Sequence, residues 1–133
     1  MAKQTVYDQK FSVVHAEDGV FEGGGLRAQF EYKDLGIRDA TAGRYHAHII
    51  RSTGGTGPEV GTHLHDNIDF QLVYVLKGWM RFVYEGQGEV VAKAGTCILQ
   101  PPGIKHNVLE WSEDLELLEV TSPADFGTEQ MDS

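Results

Sequence analysis

A single cysteine, Cys97, stands in the 133 residues, so an intrachain disulfide is excluded and with it a disulfide-stapled secreted scaffold. Basic residues are also scarce: 11 Lys and Arg face 20 Asp and Glu, a formal net charge of -9. Such a surface repels phosphate backbones and anionic membranes, which argues against nucleic acid and membrane as partners. Long apolar runs are missing. None approaches the roughly 20 residues that a membrane-spanning helix needs. The opening stretch MAKQTVYDQK is polar, without the apolar centre of a secretion signal, and the expectation is a cytoplasmic protein. No long window carries a helical stripe. A chain of this length suits one domain, residues 1–133, able to bury a core without staples.

What is present is period-two alternation. Phe11 to His15, Leu26 to Tyr32, Arg44 to Ile50, Phe70 to Leu76, Trp79 to Tyr84, Glu89 to Ala92, Thr96 to Leu99, Asn107 to Trp111 and Leu115 to Thr121 all read as short strands. Turn residues separate them. Lys77-Gly78 predicts a tight hairpin, Glu85-Gly86-Gln87-Gly88 the next turn, and Lys93-Ala94-Gly95 and Pro101-Pro102-Gly103 the later breaks. Ser52 to Pro58 is a Gly-rich loop, and residues 124–133 read as a loose polar tail. Gly23-Gly24-Gly25 lacks the Gly-Lys-Ser/Thr of a phosphate-binding loop and reads as a turn. The pattern is all-β, a sandwich or barrel.

Chemistry concentrates in the histidines: His15, His46, His48, His63, His65 and His106. His63 and His65 are two residues apart, so on a strand they point to one face and can aim two imidazoles at one point. Converging ring nitrogens suit a divalent transition metal. His46 and His48 have the same spacing; the plain reading is a mixed strand face, and the functional one is that His48 reaches the site. Cys97, between Thr96 and Ile98, reads as a buried small hydrophobe rather than a nucleophile. Tyr74, Trp79, Met80, Phe82 and Tyr84 read as core or dimer contacts, with some able to line an apolar pocket.

The spacing extends beyond the pair. Gly57 stands six residues before His63, and Gly95, Pro101, Gly103 and His106 follow one another at Gly-x5-Pro-x-Gly-x2-His. This resembles the two signature motifs of the cupin superfamily, the first over residues 57–78 and the second over 95–110. The closing Asn of the second motif is replaced by Glu110. The resemblance implies a double-stranded β-helix, or jelly-roll, barrel with a metal held near one mouth, and a homodimer. It implies His63, His65 and His106 as ligands of iron, nickel, manganese or zinc.

The motif's Glu is where this chain departs. Counting from the histidines puts that position on Asp69, and counting back from Gly78 puts it on Gln71. Parity cannot choose, because both share a face. If the turn at Lys77-Gly78 pins the strand, extra residues are absorbed before it, and Gln71 faces inward with Val73 and Val75. Gln71 is therefore the expected fourth ligand, with Asp69 the competitor or an outer partner of an imidazole. Some polyketide-cyclase-like members of the superfamily use Gln here together with an additional His. The resemblance allows a metal-dependent dioxygenase, cyclase or isomerase acting on a small organic molecule, with Glu110, Asp69 or His48 as the base. The alternative is a non-catalytic module that binds a small molecule or a metal.

Overall fold

Alternating side chains place one apolar row on each strand, and burying those rows against one another requires two facing sheets. The computed structural model describes residues 8–23, 29–54 and 61–130. Among these lie β1 (Glu22–Gly23), β2 (Phe30–Asp34), the short helix α1 (Ile37–Ala40), β3 (His46–Ser52), β4 (His63–Asp66), β5 (Phe70–Lys77), β6 (Trp79–Tyr84), β7 (Gly88–Lys93), β8 (Cys97–Leu99), β9 (His106–Trp111), β10 (Glu116–Ser122) and β11 (Gly127–Gln130). One sheet has the order β1-β2-β3-β10-β5-β8 and the other β11-β4-β9-β6-β7, with every pairing antiparallel. The two form a jelly-roll barrel. Its core is Phe30, Val73, Val75, Met80, Phe82, Tyr84, Ala92, Val108, Trp111, Leu115 and Leu117. Phe30 and Trp111 meet across the sheets with ring centroids 4.8 Å apart.

Strands β5 to β10 lie within a residue or two of the alternation read from the sequence. Four expectations need correction. Phe11 to His15 forms no strand: the segment is exposed and makes no ladder with any described strand, and without a ladder a β-prone stretch has nothing to hold it extended. Lys77-Gly78 is not a hairpin, because β5 pairs with β10 and β8 while β6 pairs with β7 and β9. The chain turns a corner there from one sheet to the other. Gly78 has φ +75°, and a Cβ on it would lie 2.2 Å from Ser112 Oγ and 3.1 Å from Leu115 Cα. The Trp79 amide then donates to Ser112 Oγ at 3.0 Å, starting β6 in the second sheet.

The third correction is at the C-terminus. Residues 127–130 are not a loose tail but β11, paired with β4 from Gly127 opposite Asp66 to Gln130 opposite His63. Polar composition hides this strand, since it adds a ladder at a sheet edge rather than an apolar row. The fourth is Cys97, which is exposed on the outer face of β8, with Ile98 turned toward the core. Gly24, Gly25, Leu26 to Ala28, the loop from 55 and Gly57 of the first motif lie outside the described residues.

Candidate metal centre

β4 and β9 are neighbours, with His63 directly opposite His106. Two residues along β4, His65 points to the same face. The strands thus bring three imidazoles together: one ring nitrogen from each of His63, His65 and His106 lies within 4.8 Å of the others. Ring centroids are 4.4 Å apart for His63 and His106, 5.0 Å for His63 and His65, and 5.1 Å for His65 and His106. His63 and His106 are buried, and His65 is partly so.

Each imidazole is tied at its other nitrogen. His63 Nδ1 donates to the Gly61 carbonyl at 2.9 Å and His106 Nδ1 to the Ile104 carbonyl at 3.1 Å. A carbonyl only accepts, so both rings carry the proton on Nδ1 and the lone pair on Nε2, the form that binds a metal. His65 Nδ1 pairs with Thr128 Oγ at 3.0 Å, and the Phe126 ring meets His65 edge-on with centroids 5.1 Å apart. The C-terminal strand therefore supports the centre. Three converging imidazoles with oriented rings fit a divalent transition metal, and His63, His65 and His106 could hold one.

Beside them is a cavity of about 60 Å³. Val73, Met80, Phe82, Val108 and Leu117 form its apolar wall, and His65, His106, Gln71, Gln100 and Glu119 its polar side. The two competing residues separate clearly in position. Gln71 is buried on the inward face of β5 with Val73 and Val75, whereas Asp69 is exposed, its amide donating to the Ser122 carbonyl at 2.8 Å. Glu110 does not reach the cavity. It is exposed on the outer face of β9 and pairs with Arg81 at 3.0 Å, so the base expected there is absent from the site.

The carboxylate that does line the cavity is Glu119 on β10. Its Oε2 accepts from Gln71 Nε2 at 2.8 Å and its Oε1 from His48 Nε2 at 2.7 Å. His48 Nδ1 lies 3.2 Å from His46 Nε2. His46 and His48 face inward with Ile50, so the second histidine pair is linked to the site through Glu119 and does not join the three-histidine cluster. Burial alone pushes the Glu119 carboxyl up. The His48 hydrogen bond and charge, the Gln71 amide and the charge of His65 outweigh that and hold it below its ordinary value. Sequence reasoning missed Glu119 because Leu117-x-Glu119-x-Thr121 and Leu118-x-Val120 give both faces of β10 an apolar claim.

Tyr84 packs against His106. It stands opposite His106 on the adjacent strand, rings 5.7 Å apart and near parallel, and its hydroxyl donates to Gln100 Oε1 at 2.5 Å. Burial, helped by the Glu119 charge, pushes its hydroxyl above the ordinary tyrosine range, so it acts as a donor. A second, more open space of about 530 Å³ is lined by Glu22, Tyr32, Asp34, His46 and His48, on the far side of the His48–Glu119 pair.

The family model described as Cupin domain matches residues 51–121, just over half of the chain. Among solved structures, the polyketide cyclase RemF from Streptomyces resistomycificus superposes with a TM-score of 0.68 at 22% identity, covering 93% of this chain and 87% of that one. A predicted oxalate decarboxylase from Thermotoga maritima superposes at 0.67 with 23% identity, over 84% and 99% of the two chains. KdgF from Halomonas sp. does so at 0.67 with 17% identity, over 86% and 94%. At such identities the likeness shows the fold alone. No curated protein matches the sequence.

Proposed function

Since the chain belongs to the cupin family, we propose that it is a cytoplasmic, metal-dependent enzyme of cyclase or isomerase type, acting on a small organic molecule as a homodimer. The observation that carries this reading is the convergence of His63, His65 and His106 beside a cavity, with each ring's other nitrogen already engaged. In this reading Gln71 is the fourth ligand. A divalent ion held there supplies Lewis acidity that no ligand charge diminishes, because imidazole and amide are neutral.

The protein's own groups do the rest. The apolar wall of Val73, Met80, Phe82, Val108 and Leu117 excludes water and strengthens polar contacts inside. A cavity of about 60 Å³ suits a small reacting group. Glu119, ionised and held by His48, accepts the Gln71 amide and fixes the polar side of the cavity. Gln100, held by the Tyr84 hydroxyl, lines the cavity with Glu119. A pocket with an apolar wall next to the histidines favours catalysis over a purely structural or storage role. The small apolar space also suits dioxygen beside a bound enol, which keeps a dioxygenase as the second reading.

Elemental analysis of protein purified without chelator, beside His106→Ala, tests the proposal. The expected result is near-stoichiometric metal in the native chain and its loss in the variant. Zinc directs substrate assays to carbonyl compounds, and iron or nickel to oxygen uptake with enols and catechols. If the native chain takes up no metal even after reconstitution, the enzyme reading falls.

A further inference from the structure

A glutamine amide can serve a cation only when turned one way, because its carbonyl oxygen has lone pairs to give and its NH2 only donates. What turns Gln71 is visible in the barrel. Gln71 Nε2 donates to Glu119 Oε2 at 2.8 Å, and an ionised carboxylate can only accept. The NH2 is therefore held toward β10 and Oε1 is turned away from it, while the side chain lines the same cavity as His65 and His106.

The sheet register sets up this contact. Thr121 of β10 stands opposite Gln71, which puts Glu119 on the diagonal, within reach of a long side chain. On its other side Glu119 stands directly opposite His48 of β3, and His48 Nε2 reaches Oε1 at 2.7 Å. His46 abuts His48 in turn at 3.2 Å. A polar line of four side chains across three strands is costly inside an apolar barrel unless every member has a partner.

We propose that Glu119 is a positioning residue: it makes Gln71 an oxygen donor facing His63, His65 and His106, and His48 with His46 holds the carboxylate in that pose. This rests on the ligand assignment above and extends it to residues outside the metal-binding motifs.

Cobalt(II) titration of the metal-stripped full chain tests it, reading affinity by chelator competition and ligand field by absorption spectrum. Loss of an outer partner typically weakens a metal site about 10–100-fold. Glu119→Ala is expected to weaken cobalt binding about tenfold or more and to shift the spectrum in the direction given by Gln71→Ala. The Gln71→Ala/Glu119→Ala pair is expected to bind no more weakly than Gln71→Ala alone, since one contact is removed in both. Glu119→Gln keeps the shape and guards against misfolding. It can offer Gln71 either a carbonyl or an NH2, so the same spectral change is expected to a smaller extent. Native affinity and spectrum in both Glu119 variants, or fully additive losses in the pair, would overturn the positioning role. Titrations of the native chain and His106→Ala read the underlying site separately. A native chain that binds no cobalt, or a His106→Ala variant that binds it unchanged, overturns the ligand assignment and this proposal with it.

Discussion

His46 shows what a half-buried imidazole does to stability. Burial and the neighbouring His48 charge lower its pKa below 6.5, Arg38 adds to this, and Asp34 and Glu119 oppose it. Its Nδ1 is buried with no hydrogen-bond partner among the described residues, so a second proton would leave an unpaired N–H. The unfolded chain therefore takes up a proton near pH 6.5 while the folded one does not. Stability should fall as pH drops from 6.5 toward the lower folded value and then level off. Urea denaturation between pH 5 and 8 is expected to show this slope and His46→Gln to flatten it; an unchanged slope in the variant would assign the dependence to other groups. The sequence shows His46 and His48 as a pair, but not that their chemistry passes through Glu119. That link depends on β3 and β10 lying side by side, some seventy residues apart in the chain.

At the scale of elements, the corner between β5 and β6 governs the site, because it sets which residues of β5 point inward. Gln71, Val73 and Val75 do, whereas Asp69 lies exposed before the strand begins. The register argument from Gly78 places Gln71 correctly on the inward face although its premise, a hairpin, is replaced by a sheet-to-sheet corner. Either turn pins the strand end, and the residues before it must absorb the slack. Gly78→Ala is expected to cost more than about 1 kcal/mol, because alanine resists φ +75° and its Cβ would meet the Leu115 backbone, which cannot move aside. Thermal unfolding checks this, and a variant as stable as the native chain would show that the corner is compliant. β11 teaches the opposite lesson. Gly127–Gln130 has no apolar row to announce it, yet it carries Thr128, the partner of His65.

For the whole molecule, the outer face of the six-stranded sheet bears on assembly. Val120, Leu72 and Leu99 align across three strands, and Leu118, Tyr74 and Cys97 align in a neighbouring row. Leu99 is 60% exposed, Leu76 45% and Tyr74 38%, while Phe11 of the N-terminal segment stands 92% exposed. A contiguous apolar face of this kind marks an interaction surface, and the occupant that fits the proposed homodimer is a second copy of the chain. Light scattering after gel filtration is expected to give twice the chain mass, and Leu99→Asp with Tyr74→Asp to give a monomer; a monomeric native chain would remove the dimer from the proposal. By itself the sequence determined the all-β class, the extent of most strands and the three histidines, because alternation and short motif spacings are local and survive in one dimension. Only the tertiary structure decided that Glu110 faces solvent, that Glu119 faces the cavity, that β11 closes over His65, and that β5 and β6 part at Gly78. Each of these depends on which strands become neighbours, and that is settled by burying two sheets against each other rather than by any segment alone.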